Sequence, residues 1–327
     1  MKAGFPSGSL PEGLQERIDN ADRERPFSIF WEVRTLLYLG VVSLSSGLGI
    51  LIYKNIDTIG HQTILALIAA LTAACFWYCA KRARPFTTGP TAKESSWSDY
   101  VLLLGVLLFG IFTGYLQAQY TVFGTHYGLA LSIPALLYLF LAYRFDHRGV
   151  LQLGLSGLCA AVGVVVTPLS AVDGNLFDHR TPVYAGLGMG VLFAAAGILS
   201  EKIDFKSHFN FSYVNFAMHL GLIASLTGMM TGGGFEEWMF FLLLAALTAG
   251  LWTYARRRKS HYFLLCAVLY GYIAFTYMVM HHLFQSSTMD SMSLLFLYFI
   301  LSCGGTIYFF LNVKTFLGIP DAGVSEK

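Results

Sequence analysis

Apolar stretches of about twenty residues recur ten times along this chain, each closed by a short polar or turn-forming segment. A run of about 18 or more apolar residues is long enough to cross the hydrocarbon core of a bilayer as a helix. Such a run leaves a soluble domain little to do with its surface. Only 12% of the 327 residues are charged and 55% are hydrophobic, where an ordinary soluble domain carries about 25% charged residues. The expected fold is an all-α polytopic membrane protein. Its spans are expected at 35–54, 61–80, 98–118, 126–143, 149–170, 182–200, 211–230, 236–255, 261–282 and 292–312.

Three parts follow from this division. Residues 1–34 form a polar cytoplasmic or interfacial segment, in which "SLPEGLQERIDNADRE" can make one short amphipathic helix capped by Ser9. Residues 35–313 form the ten-helix domain, and 314–327 a cytoplasmic tail. The first apolar run follows too long a polar segment to be a cleaved signal peptide and is expected to be a retained span. "KNIDTIGHQ" is expected to turn the chain between the first two spans.

Cations test the count. All but two of the 21 Lys and Arg, namely Lys54 and Arg180, precede the first span or follow an even-numbered one. Lys and Arg accumulate on the cytoplasmic side, so both termini are expected there, in a bacterial inner membrane. The basic run Arg256, Arg257, Arg258 and Lys259 therefore reads as a membrane edge beside anionic headgroups, and nucleic acid is excluded as a partner. Tyr78, Tyr143 and Tyr254 precede such runs and are expected at headgroup level.

Two segments look alike. "LLFGIFTGYLQAQYTVFGTHYGLALSIPALLYLFLAYRFDHRGVLQL" resembles "GLIASLTGMMTGGGFEEWMFFLLLAALTAGLWTYARRRKSHYFLL", with Tyr143 and Tyr254 corresponding 111 residues apart. Either this is a parallel internal repeat or it is the common look of hydrophobic hairpins.

Residues 36–82 carry a family likeness. Gly40, Gly47 and Gly49 punctuate the first span, Asn55 and Asp57 mark the turn, and 64–75 is rich in Ala and Leu. This pattern resembles the start of the bacterial predicted-membrane-protein family called domain of unknown function 2157. "YLQAQYTVFG" is similar to that family's Gln-x-Tyr segment, around Gln119, while Ile56 stands where the family commonly has Trp. The resemblance implies a multi-span bacterial inner-membrane protein and brings no activity or catalytic residue.

Polar groups inside a span are costly and mark candidate sites. His219 lies in mid-span, with Asn215 four residues before it on the same face. A histidine there suits proton relay or takes a hydrogen bond from a neighbouring helix. Tyr262, Tyr270 and Tyr277 share a face of the ninth span, where they line a polar path or simply pack with bonded hydroxyls. No buried carboxylate is expected among the spans. On the outer side gather His61, His126, Asp178, His179, Glu236, His281 and His282, with Asp57, Asp173, Glu237 and Asp290 nearby. His and carboxylate donors can hold a divalent metal there, although HExxH spacing is missing and His281 and His282 diverge on a helix; the alternative is a solvated acidic face. No other cofactor is expected. The five cysteines all lie in apolar runs and suggest neither a disulfide framework nor a zinc site.

Small residues, including the Gly186–Gly190 pair and Gly304–Gly305, permit close helix approach within the chain, to a membrane partner or to a second copy. Three functions stay open: a transporter or channel for a small solute, linked to protons through His219; a membrane enzyme using the outer His and acid groups; and a non-catalytic sensor or assembly protein.

Overall fold

The computed structural model describes residues 30–83, 85–89, 96–166, 180–286 and 289–317. The expected amphipathic helix at the amino terminus, Asp178, His179 and the end of the tail lie outside them. Within them run eleven α-helices and no strand. Ten are long and apolar enough to cross a membrane, and the chain is a multi-pass helical membrane protein. They are α1 (Phe30–Ile59), α2 (His61–Lys81), α3 (Ser96–Tyr120), α4 (Tyr127–Phe145), α5 (Arg148–Val166), α6 (Arg180–Lys202), α7 (Asn210–Thr231), α8 (Phe235–Arg258), α9 (His261–Ser286) and α10 (Met289–Leu311). A single-turn α11 (Val313–Phe316) follows.

Two boundaries differ from the sequence reading. The helical backbone of α1 continues through the expected polar turn to Ile59, and the chain reverses on Gly60 alone, at φ 83°. Only a residue without Cβ takes that conformation cheaply. At the other end, Leu317 is buried, and Phe316 packs on Trp252, Tyr308 and Phe309.

The described residues group into two units, the first within Met1–Ala83 and Lys93–Tyr115, the second within Arg84–Ala92 and Leu116–Lys327. In the first, Ile64, Ile68 and Leu108 form a small buried cluster flanked by Leu48, Ile111 and Tyr115. Lys81 lies over the Trp77 ring at 3.9 Å and Arg82 over Tyr78 at 4.6 Å, so each cation at this helix end is backed by an aromatic face.

The second unit packs tightly. In lipid, helices gain little from burying apolar surface, and close approach supplies the attraction. Gly186 and Gly190 do this within the chain. A Cβ on Gly186 would lie 3.2 Å from Ala224 Cβ, and one on Gly190 3.2 Å from Ala217 O, so the pair seats α6 on α7. On Gly197 a Cβ would stand 2.8 Å from Asn210 Oδ1. Gly154 and Gly157 seat α5 on α4 in the same way, against Leu139 and Ala135. Gly304 and Gly305 have open space beside them. The α3–α4 turn is held by Gln117, whose Nε2 donates to Gly124 O (2.8 Å) and whose Oε1 accepts from Phe123 N (3.0 Å).

Candidate functional site

The residues singled out by spacing on α7 and α9 meet in a hydrogen-bonded ladder. Tyr262 Oη donates to Asn215 Oδ1 at 2.6 Å. His219 Nε2 is 2.9 Å from Tyr262 Oη, and His219 Nδ1 is 3.0 Å from Tyr270 Oη. Helical periodicity explains the geometry. Asn215 and His219 are one turn apart on α7, and Tyr262 and Tyr270 are about two turns apart on α9.

The donors assign a direction. A phenol has one O–H, and that of Tyr262 is committed to Asn215. Toward His219 the Tyr262 oxygen therefore accepts, which places the imidazole proton on Nε2. Nδ1 then accepts from the Tyr270 hydroxyl. The result is one continuous neutral sequence of donors, Tyr270 to His219 to Tyr262 to Asn215, spanning about 12 Å along α9 at about 1.5 Å per residue. An imidazole with a donor bonded at one nitrogen and an acceptor at the other can take a proton on one side and release it on the other. The ladder is partly open: Tyr262 is 40% exposed.

Tyr277 does not join the ladder. Its ring stacks on His281 (centroids 5.5 Å apart, 10° between planes), and its hydroxyl donates to Met230 O at 3.5 Å. Beside it lies Glu237, a carboxylate expected at the outer surface. Glu237, in the first turn of α8, is 4% exposed. His281 Nε2 stands 3.9 Å from Glu237 Oε2 and His282 Nε2 4.0 Å from Oε1, so the diverging histidines straddle one acid. Glu236 pairs instead with Arg180 at 2.7 Å. His61 Nδ1 bonds Tyr115 Oη at 2.6 Å in the first unit, and His126 stands at the N-cap of α4 in the second, making no side-chain cap bond. Among the described residues no three His, Cys, Asp or Glu side chains gather so as to hold a metal. All five cysteines are free.

A second polar centre escaped the sequence reading. Asp146, Lys206 and His208 sit in turns, yet Asp146 and Lys206 are buried, at 7% and 1% exposure. Asp146 Oδ1 takes the Lys206 ammonium at 3.2 Å and His208 Nε2 at 2.5 Å. Lys206 Nζ also donates to Gly89 O (3.3 Å), and its backbone N–H to Thr88 O (2.8 Å). Three connections are thereby tied at one end of the unit. Tyr143, expected at headgroup level, lies in the same centre, stacked on Phe205 with its hydroxyl 2.8 Å from that of Tyr213. Nearby, Glu201 accepts from Arg258 and, at 2.6 Å, from Asn210 Nδ2. The signal available in the sequence was the acid–base complementarity of "FDHR" and "DFKSH", which local pattern cannot distinguish from solvated loops.

The family described as "Predicted membrane protein (DUF2157)" matches residues 8–151. That is the family the first hairpin resembles. No curated protein and no solved structure matches the chain. The ladder lies beyond the matched residues.

Proposed function

We propose that the chain is a proton-linked transporter or channel for a small solute in the bacterial inner membrane, with both termini on the cytoplasmic side. The orientation draws on the sorting of cations to one set of span ends, with only Lys54 and Arg180 apart. The mechanistic part draws on one observation: His219 stands within a span with both ring nitrogens in hydrogen bonds that lead on to Asn215. Polar side chains in hydrocarbon are costly and mark ion and proton routes. In this reading, Tyr270 passes its hydroxyl proton to Nδ1 and regains one from its own far side, while the Nε2 proton goes to the Tyr262 oxygen and the Tyr262 hydroxyl proton leaves to an acceptor at its open side. The imidazole then resets by ring or hydroxyl rotation, and the solute binds at the open side of Tyr262.

The test is a proteoliposome assay with an imposed pH gradient and a pH dye inside. The full chain should dissipate the gradient, and His219→Phe and Tyr270→Phe should each slow it by about tenfold or more, since a single relay group contributes about 10²–10⁴-fold to proton transfer. Equal rates in the wild type and His219→Phe would overturn the reading. An enzyme built on the outer histidines has less support, because among the described residues His281, His282 and Glu237, at 3.9 and 4.0 Å, do not converge as a metal site.

A further inference from the structure

The described residues of the first unit leave a gap between them. A cavity of about 70 Å³ lies among Leu48 and Leu51 of α1, Thr63, Leu67 and Leu71 of α2, and Ile111 of α3. Its walls are aliphatic apart from Thr63. Its mouth is open: Leu51 and Leu67 are each 57% exposed, and Leu71 38%. From Thr63 to Leu71 the groove runs about 12 Å along α2, close to the depth of about 15 Å of one leaflet's hydrocarbon. It therefore opens sideways into the bilayer, where no water is present to occupy it.

The end of the groove at Thr63 is polar. His61 and Tyr115 are joined there by a hydrogen bond of 2.6 Å. Lys54 is exposed and stands one turn beyond Leu51 on α1. It is one of only two cations in the chain that break the sorting to the other side. An exposed ammonium one turn from the groove's α1 wall, with an imidazole and a phenol beside the groove's end, is complementary to an anionic headgroup carrying an acyl chain.

We infer that this groove binds one anionic phospholipid in the leaflet at the Lys54 end, with an acyl chain along Leu67 and Leu71 and the phosphate at Lys54 and His61. The site is separate from the ladder and does not depend on its role.

The experiment is native mass spectrometry of the full chain in neutral detergent, titrated with phosphatidylglycerol, phosphatidylcholine or oleate. The wild type should retain one phosphatidylglycerol in preference to phosphatidylcholine. Lys54→Gln should weaken that binding about fivefold, the worth of one basic residue against anionic lipid. Leu67→Trp, which fills the groove from its mouth, should abolish it. Equal retention by wild type and Leu67→Trp would overturn the site. Equal binding of phosphatidylglycerol and phosphatidylcholine would overturn the headgroup assignment, and oleate displacing phosphatidylglycerol at equal concentration would overturn the phospholipid as occupant. Lys54 is exposed, so Lys54→Gln keeps the test decisive if Leu67→Trp fails to fold.

Discussion

In the first unit Ile64, Ile68 and Leu108 cluster beside an open groove, while the second closes around hydrogen-bonded tyrosines, glycine-seated helices and a fully buried ammonium. Both are made from equally apolar helices, so hydropathy does not separate them. The difference lies in what surrounds each helix. Lipid tails are as apolar as leucine, and an aliphatic face gains little by leaving them for another helix. A polar group gains a great deal, because its alternative in hydrocarbon is an unmet hydrogen bond. The second unit is therefore specified by its polar contacts and close glycines; the first uses the same devices at His61–Tyr115 and at Gly105, where a Cβ would stand 2.9 Å from Cys75 Cβ, but leaves an open groove beside its aliphatic cluster.

This contrast predicts a graded set of effects. The largest belongs to the buried ion centre. Asp146→Ala leaves the Lys206 ammonium without its counter-charge and should lower stability by about 3–5 kcal/mol, read as a large drop in the thermal midpoint in detergent. A loss under about 1 kcal/mol would mean that the centre is solvated in the folded protein. Next come the glycines, which should differ in sign between seated and open positions. Gly228→Ala meets the Phe240 ring at 2.8 Å and Gly197→Ala meets Asn210 Oδ1 at 2.8 Å; each should cost about 1–3 kcal/mol as overpacking. Gly47→Ala and Gly304→Ala meet nothing within 4 Å and should leave stability unchanged or raise it by up to about 1 kcal/mol through helix propensity. Destabilisation of equal size at all four positions would erase the distinction between the packed and open faces. The smallest effect is Tyr262→Phe, which removes two rungs of the ladder and should cost about 0.6–2 kcal/mol while slowing proton flux strongly. A stability loss with full flux would make Tyr262 a packing residue only.

The spans were legible in the sequence because length and apolar content alone decide them. The ladder was legible for a related reason: Asn215 and His219, and Tyr262 and Tyr270, lie at helical spacing, so one face of each helix could be read before the two were seen together. Tyr277 satisfied the same spacing but stacks on His281 instead, since register on one helix does not say which neighbour stands opposite. The ion centre was hidden because Asp146 comes from the α4–α5 turn and Lys206 and His208 from the α6–α7 connection, and polar residues in connections ordinarily meet water. Glu237 was hidden by its place in the first turn of α8, where a helix N-terminus favours an acid whether or not it is buried. Within "LQAQ", the family likeness centres on Gln119, while Gln117 clasps the α3–α4 turn; the two differ only in which way they face.

The direction of the ladder is what the functional account rests on, and nitrogen-15 NMR of the His219 imidazole in the full chain in lipid tests it most directly. The account predicts a neutral ring with its proton on Nε2, and an Nδ1 resonance that shifts when Tyr270 is replaced by Phe. A proton on Nδ1, or a ring whose two resonances are indifferent to both Tyr262→Phe and Tyr270→Phe, would contradict it.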